Sequence, residues 1–362
     1  MSNKAKVRSY KTIRGLVTRI RDDLNNHEVV LLYAYNGTGK TRLSMAFKGA
    51  AKNKTGVPDT LYFNAYTEDL FSWENDLEND VERFLRINSD SSFFSGFEEL
   101  ALEERIFSYL HRYADFDFKI DYVKWRIHFS RGDEQNIKVS RGEENIFIWC
   151  IFLAICELTI DGQESYSWVK NIYVDDPISS LDDNNAIAVA SDLAQLLKKG
   201  KDKVKVVISS HHSLFFNVMW NEFRSSKMKY KTHFLHRPSN SETYTLQSTD
   251  ETPFFHHVAM LSELQLASEK GELYTHHFNM LRSIMEKTAT FFGLKDFSEC
   301  VHGVDDDVLY ARALNLLSHG KYSVYEPREM VEDTKDLFKE ILNAFLDQYK
   351  FALPELTAKA KR

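Results

Sequence analysis

The chain has 362 residues, of which 43% are hydrophobic and 27% charged; this composition is globular, excludes disorder as the default, and gives enough chain for one large core and a smaller second one. The formal net charge of −7 excludes a global basic field, so any nucleic-acid site has to be a local patch. No apolar run reaches the roughly 18–20 residues of a membrane span, and Met1 to Arg8 is polar and basic with no apolar signal core behind it, so the expectation is a cytoplasmic protein without membrane attachment.

The N-terminal stretch reads as a basic amphipathic segment. Val29-Val-Leu-Leu-Tyr33 then reads as a short buried strand, followed by a glycine-rich turn that feeds a helix from Lys40. That turn, Ala34-Tyr-Asn-Gly-Thr-Gly-Lys-Thr41, has the spacing of a phosphate-binding loop with Ala in place of its first Gly. Backbone N–H groups around Gly37, Thr38 and Gly39 can cradle phosphate, Lys40 can reach the β and γ phosphates, and Thr41 can ligate Mg²⁺; Asn36 and Arg42 flank this set of nucleotide-binding candidates. Thr60 to Asn64 reads as a second strand, with Asn64 a candidate for positioning the attacking water. Glu74 to Tyr113 is patterned as helices, a helical arm. No heptad run lies between the phosphate loop and Ser140, which argues against the long coiled coil of a structural DNA-repair ATPase.

Val139-Ser140-Arg141-Gly142-Glu143 resembles an ABC signature loop, with Ser140, Gly142 and Glu143 as its nucleotide-facing candidates. The longest apolar run follows, Ile146 to Cys156. Cys150 and Cys156 lie in it and Cys300 stands alone, so no zinc pair or disulfide framework is spelled out, and the three read as small buried hydrophobes. Ile172-Tyr-Val-Asp175-Asp176 is a strand that delivers two carboxylates, Asp175 toward the metal and Asp176 toward the water; many ATPases of this class have Glu in the second position. Ser179-Ser-Leu-Asp182 resembles a D-loop. A helix over Asn184 to Leu197 and a strand over Val204 to Ser209 come next, and His211 stands where this class keeps its switch histidine, with His212 a bystander.

The order and spacing of these elements are those of an ABC-type ATPase head. The expected fold is α/β, an ABC-type P-loop NTPase head with a helical arm over residues 1–240, followed by a mainly α-helical domain over residues 241–362, the boundary falling in the turn-rich stretch from Arg237 to Thr243. The ligands implied are ATP or GTP with Mg²⁺. Because the signature loop of one subunit completes the nucleotide site of another in such heads, a homodimer through the heads is the least assembly expected, with higher oligomers left open.

In the helical part, His276 to Gly293 places Leu281, Ile284, Met285, Thr288 and Phe292 on one helical face, with Gly293 as the stop and Arg282 and Glu286, four residues apart, on a neighbouring face. Spacing alone makes that pair a helix-surface ion pair. Ala313 to Gly320 ends a further apolar helix on His319, which by position alone is a C-capping residue.

Over nearly its whole length the sequence resembles the PrrC-type anticodon nucleases, ABC-ATPase-headed ribonucleases of bacterial phage defence. The resemblance runs through Tyr33 to Ser44, Asn64 to Phe71, Ser140 to Trp149, Asp175 to Asp183 and the two C-terminal stretches. It implies that Arg282, Glu286 and His319 form a nuclease triad without a metal, acting on the anticodon loop of a tRNA, with lysine tRNA the typical target and a type I restriction-modification complex as silencing partner. Cleavage through the ribose 2′-OH would leave 2′,3′-cyclic phosphate and 5′-OH ends, with Glu286 and His319 as base and acid in an order left open and Arg282 on the phosphate. His276, His277, Lys287, Lys321 and Tyr322 are the candidate RNA contacts, and Lys359 to Arg362 reads as a solvated tail. The competing reading is an ABC-type sensor ATPase that signals to a separate effector.

Overall fold

A strand of five apolar or aromatic side chains leaves no face for water, and Val29–Tyr33 (β2) is buried at every position. The computed structural model describes residues 7–50, 59–64, 70–75, 83–94, 102–177, 183–237, 243–250, 256–301, 329–349 and 351. Among these, β2 is the centre of a seven-stranded sheet in the order β1 (Val7–Tyr10), β12 (Tyr244–Ser248), β11 (Tyr230–His236), β2, β10 (Lys205–Ser210), β9 (Asn171–Asp175) and β3 (Thr60–Asn64). From β11 to β3 the pairing is parallel throughout, whereas β12 pairs antiparallel with both of its neighbours.

Parallel neighbours need crossover connections, which here include the helices α1 (Ile13–Asn26), α2 (Lys40–Ala50), α5 (Asp183–Lys199) and α6 (Ser213–Ser225). This is the α/β architecture of a P-loop NTPase head. Register then decides what the strand ends bring together. Tyr33 lies level with Ser210, Ser209 with Asp175, and Asp175 with Asn64, so one edge of the sheet collects the phosphate loop, both aspartates and the candidate water-positioning asparagine.

The middle of the head differs from the expectation of helices over Glu74 to Tyr113. Its described residues form β4 (Phe71–Asn75) and β5 (Arg83–Ile87), which join β6 (Asp117–Asp121), β7 (Arg126–Arg131) and β8 (Glu134–Gln135) in an antiparallel sheet, and α3 (Leu102–Leu110) is its one described α-helix. Two of the charges that suggested helix surface, Glu74 and Arg86, are partners across the β4–β5 pair. Arg86 on β5 donates to Glu74 on β4 through Nε and, at 2.9 Å, through Nη2. Helix α3 packs on α4 (Arg141–Asp161), with Arg105 bonded to Asp161 at 2.9 Å. Apolar almost all round, α4 is buried from Ile146 to Cys156, and Cys150 and Cys156 are buried within it.

The chain divides into two compact units, Met1–Pro253 and Phe254–Arg362. This boundary lies beyond the expected 240/241 because β12 pairs with both β11 and β1, which keeps Tyr244–Ser248 in the head sheet. The second unit contains α7 (His256–Lys270), α8 (His276–Phe292), a short 3₁₀ turn over Phe297–Val301 and α9 (Glu332–Gln348). Its core includes Leu261, Phe278, Leu281, Met285, Phe338 and Phe345, with the thiol of Cys300 buried among them. Phe292, the last residue of the anticipated apolar stripe, is instead 57% exposed against Tyr349. Among the described residues no helix is long and apolar enough to cross a membrane.

Phe278 is fully buried and its ring meets Phe338 edge-on with centroids 5.1 Å apart. Phe278→Ala is expected to cost the helical unit about 3–5 kcal/mol through lost burial and a residual cavity, read as an earlier denaturant midpoint for that unit.

Candidate functional site

The loop between β2 and α2 has the backbone its glycines predict. Gly37 (φ 81°) and Gly39 (φ 102°) occupy the left-handed region, where a side chain would be strained. Ala34 needs no such freedom. Its N–H extends the sheet ladder to the Ser210 carbonyl at 3.0 Å and its methyl is buried in the core, which accounts for Ala at the first loop position. Lys40 is only 7% exposed and folds under its own loop, where Nζ donates to Ala34 O (3.2 Å), Tyr35 O (3.3 Å) and Asn36 Oδ1 (3.2 Å) and lies 3.4 Å from Asp176 Oδ2. Thr41 and Arg42, at the start of α2, are exposed.

Asp175 ends β9 and is 2% exposed. Its Oδ1 accepts from Ser209 Oγ at 2.6 Å and its Oδ2 from Ser44 Oγ at 3.1 Å. Burial pushes its carboxyl above the ordinary value, against the pull of hydrogen bonds from Ser209, Ser44 and Thr41. Asp176 leaves the strand in a left-handed conformation, φ 54°, and its N–H donates to the Ser209 carbonyl at 2.7 Å. Its carboxylate accepts from the His211 N–H at 3.2 Å, from Ser210 Oγ at 3.3 Å and from His211 Nδ1 at 2.6 Å. Burial opposes ionisation of Asp176, but the His211 hydrogen bond and the Lys40 charge outweigh it and hold the group below its usual value. His212 caps α6, accepting from the Phe215 N–H at 3.4 Å.

Asn64, level with Asp175, donates through Nδ2 to Tyr62 Oη at 3.2 Å, and its Oδ1 is buried with no hydrogen-bond partner among the described residues. Ser44 Oγ reaches the same tyrosine oxygen at 3.1 Å, so Tyr62 links α2 to β3. These residues fit a Mg²⁺-bound triphosphate. Asp175 is a buried carboxylate bonded only to hydroxyls in the hydrogen bonds described, and with the Thr41 hydroxyl it offers the hard oxygen donors that Mg²⁺ takes. Ser44, Tyr62, Ser209 and Ser210 were not singled out in the sequence. Ser44 stands one helical turn after Lys40, and Ser209-Ser210 directly precede His211, which are the signals that could have found them.

Ser140 is the N-cap of α4 in a full capping box. Its Oγ accepts from the Glu143 N–H at 3.3 Å, and Glu143 Oε2 accepts from the Ser140 N–H at 2.7 Å. Glu143 also accepts from Arg131 Nη2 at 2.6 Å, so it is committed to shaping the loop, while Ser140 and Arg141 are exposed and Gly142 is half-buried. The D-loop stretch Ser179 to Asp182 lies outside the described residues.

In the helical unit, Arg282 Nε donates to Glu286 Oε1 at 2.7 Å, one turn apart on α8, with the two side chains 19% and 49% exposed. The Arg282 guanidinium also rests 5.0 Å from the centre of the Phe297 ring. His319, Lys321, Tyr322 and Lys359 to Arg362 lie outside the described residues. His277 is removed from the candidate RNA contacts. It is 2% exposed, its Nδ1 accepts from the Tyr274 N–H at 3.1 Å, and burial pulls its imidazole down to about 4. His276 is half-buried and Lys287 exposed.

A protein-family model described as an AAA domain matches residues 99–347. The chain is 32% identical over 358 residues to a protein of Escherichia coli named "Anticodon nuclease", covering 89% of this chain and 88% of that protein. Among solved structures, the SMC head domain from Thermotoga maritima is 13% identical with a TM-score of 0.30, covering 60% of this chain and 89% of that one. An SMC head bound to the C-winged helix domain of ScpA is 12% identical with a TM-score of 0.31, covering 62% of this chain and 90% of that one.

A carboxylate held below its ordinary pKa contributes stability that is complete above the usual carboxylate range and lost as pH falls through its folded value. Asp176 is such a group. Thermal unfolding of wild type should therefore steepen with acid below about pH 5, with Asp176→Asn giving a flatter curve; parallel curves would contradict the Asp176 network.

Proposed function

The chain belongs to the anticodon nuclease family, and from that premise we propose that it cuts a tRNA within the anticodon loop, with Arg282, Glu286 and His319 as nuclease residues and the nucleotide-binding head as their control. The observation that carries this reading is the Arg282–Glu286 pair on α8. As an element of stability such a pair is worth only about 0.2–0.5 kcal/mol, whereas a half-exposed carboxylate beside a guanidinium suits a phosphodiester, whose charge the arginine meets while the carboxylate exchanges a proton.

In the proposed reaction the ribose 2′-OH loses its proton and its oxygen attacks the adjacent phosphorus. The bond to the leaving 5′ oxygen breaks, and that oxygen takes up a proton. Glu286 and His319 share the two transfers, and Arg282 neutralises the crowded phosphate oxygens. The products are a 2′,3′-cyclic phosphate and a 5′-hydroxyl. A deoxyribose at the cleavage position lacks the nucleophile and is not cut. Lysine tRNA is the substrate to test first, and phage defence under the restraint of a type I restriction-modification complex is the setting that the family resemblance suggests.

The head is proposed to bind ATP or GTP with Mg²⁺ held by Thr41 and Asp175. Bound metal would neutralise phosphate charge and orient the triphosphate. Asp176 and His211 then face the water and the γ phosphate, Asn64 positions that water, and Ser140 and Gly142 complete the site of a second copy. Hydrolysis and release of the dimer are the proposed switch on the nuclease.

Wild type, His319→Ala and Lys40→Ala expressed in cells, with RNA ends captured as cyclic phosphates, test both halves of this reading. Wild type alone should yield fragments ending in one anticodon loop. Soluble wild type with no such fragments, and no silencing partner present, would favour a sensor ATPase instead. With purified protein, Glu286→Gln should lower the single-turnover cleavage rate by about 10²–10⁴, the usual loss for a proton-transfer group.

A further inference from the structure

We propose that the N-terminal surface carrying Arg8, Lys11 and Arg14 binds the phosphate backbone of the RNA on which the protein acts. This rests on the RNA-substrate reading above.

Charge is unevenly spread along the chain. Residues 1–21 contain seven lysines and arginines, and all 53 acidic residues lie after Arg21. In a chain of net charge −7, this opening stretch is the local basic patch that a nucleic-acid site requires. The fold then divides its cations. Arg19 bonds Asp23 at 2.6 Å, and the other oxygen of Asp23 meets His233 Nε2 of β11 at 2.9 Å. Arg21 donates to the Phe47 carbonyl at 3.0 Å and lies 3.6 Å from Asp59. These two arginines fasten α1 to the head. Arg8 on β1, Lys11 in the turn that follows and Arg14 at the start of α1 are exposed, and among the described residues their side chains have no ion-pair or hydrogen-bond partner.

The three do not serve the fold. A cation at the start of a helix opposes the helix dipole, and the first turn of α1 holds no acid to offset it. Along the exposed row of α1, Arg14 is followed four residues on by Thr18 and only then by Asp22, so no acid stands one turn away. Lys335, in the first turn of α9, is by contrast held by Glu329 at 2.8 Å and Glu332 at 3.0 Å.

Cations displayed side by side without carboxylates suit a polyanion, whose bound counterions they release. A bilayer surface does not fit. A basic amphipathic helix binds membrane through its apolar face, and Leu16, Val17, Ile20 and Leu24 of α1 are spent in the head core. RNA is the polyanion that the proposed activity brings to the protein, and contacts to its phosphates would position it without reading its sequence.

The test is tRNA binding by the full-length Glu286→Gln protein, chosen to keep the RNA whole, over a salt series. Replacing Arg8, Lys11 and Arg14 together by Gln should weaken binding and flatten the slope of log affinity against log salt by about 2, since each phosphate contact contributes about 0.7–0.9. The same change at Lys170, Lys201 and Lys229, exposed lysines that precede β9, β10 and β11, should leave the slope unchanged. Equal flattening by both triple variants reduces the effect to net charge and overturns the proposal. Unchanged tRNA binding with a shift in sedimentation makes the surface a protein contact and overturns it as well. If the parent protein does not bind tRNA, the RNA reading falls and this inference with it; if the parent binds and the N-terminal triple variant matches it, the reading stands and this surface has no part in it. Matching thermal melts keep a folding defect from passing as lost affinity.

Discussion

The nucleotide site depends on a single backbone reversal at Asp176. A strand that continued past Asp175 would send the next side chain to the opposite face of the sheet. Instead the left-handed conformation at Asp176 and its N–H bond to Ser209 turn the second carboxylate over the end of β10, where it meets His211 and Lys40. Aspartate is among the few side chains that tolerate this conformation. Its short side chain also fits the turn. With Asp here rather than Glu, the histidine, the loop lysine and the carboxylate form one compact network, while Asp175 remains in a separate nest of hydroxyls from Ser44 and Ser209.

Most of this site was legible because its signals are local. Glycines at Gly37 and Gly39, the lysine at the helix start and the apolar strand before Asp175 are all short-range patterns whose backbone consequences follow directly. The pair Arg282 and Glu286 was legible for the same reason, since four residues make one helical turn. The hydroxyl shell was not. Ser44 and Asp175 are 131 residues apart in sequence, and only the packing of α2 against β9 brings them together.

The middle sheet escaped for a different reason. In Arg83-Phe-Leu-Arg-Ile87 the charges do not alternate strictly with the apolar residues, so the period of two is broken, and Arg86 finds its partner across a strand pair and not along a helix. The domain boundary moved because one more strand, Tyr244–Ser248, closes the head sheet after the turn-rich segment that had looked like its end. His277 shows the limit of residue type as a guide. Its imidazole made it a candidate RNA contact, and the fold uses it as a buried acceptor for a backbone N–H.

Helix α4 carries a mechanical consequence. It spans 21 residues, about 30 Å, and past its first turn nearly every side chain is packed against protein. Interiors at such density barely compress. A push on the exposed Ser140 end cannot be absorbed by bending or rolling of this helix, so it behaves as a strut. The far terminus of this strut is where Asp161 is tied to Arg105 and Gly162 ends the helix in a left-handed turn. A contact at Ser140 is thus felt along the helix as a displacement more than as a local distortion.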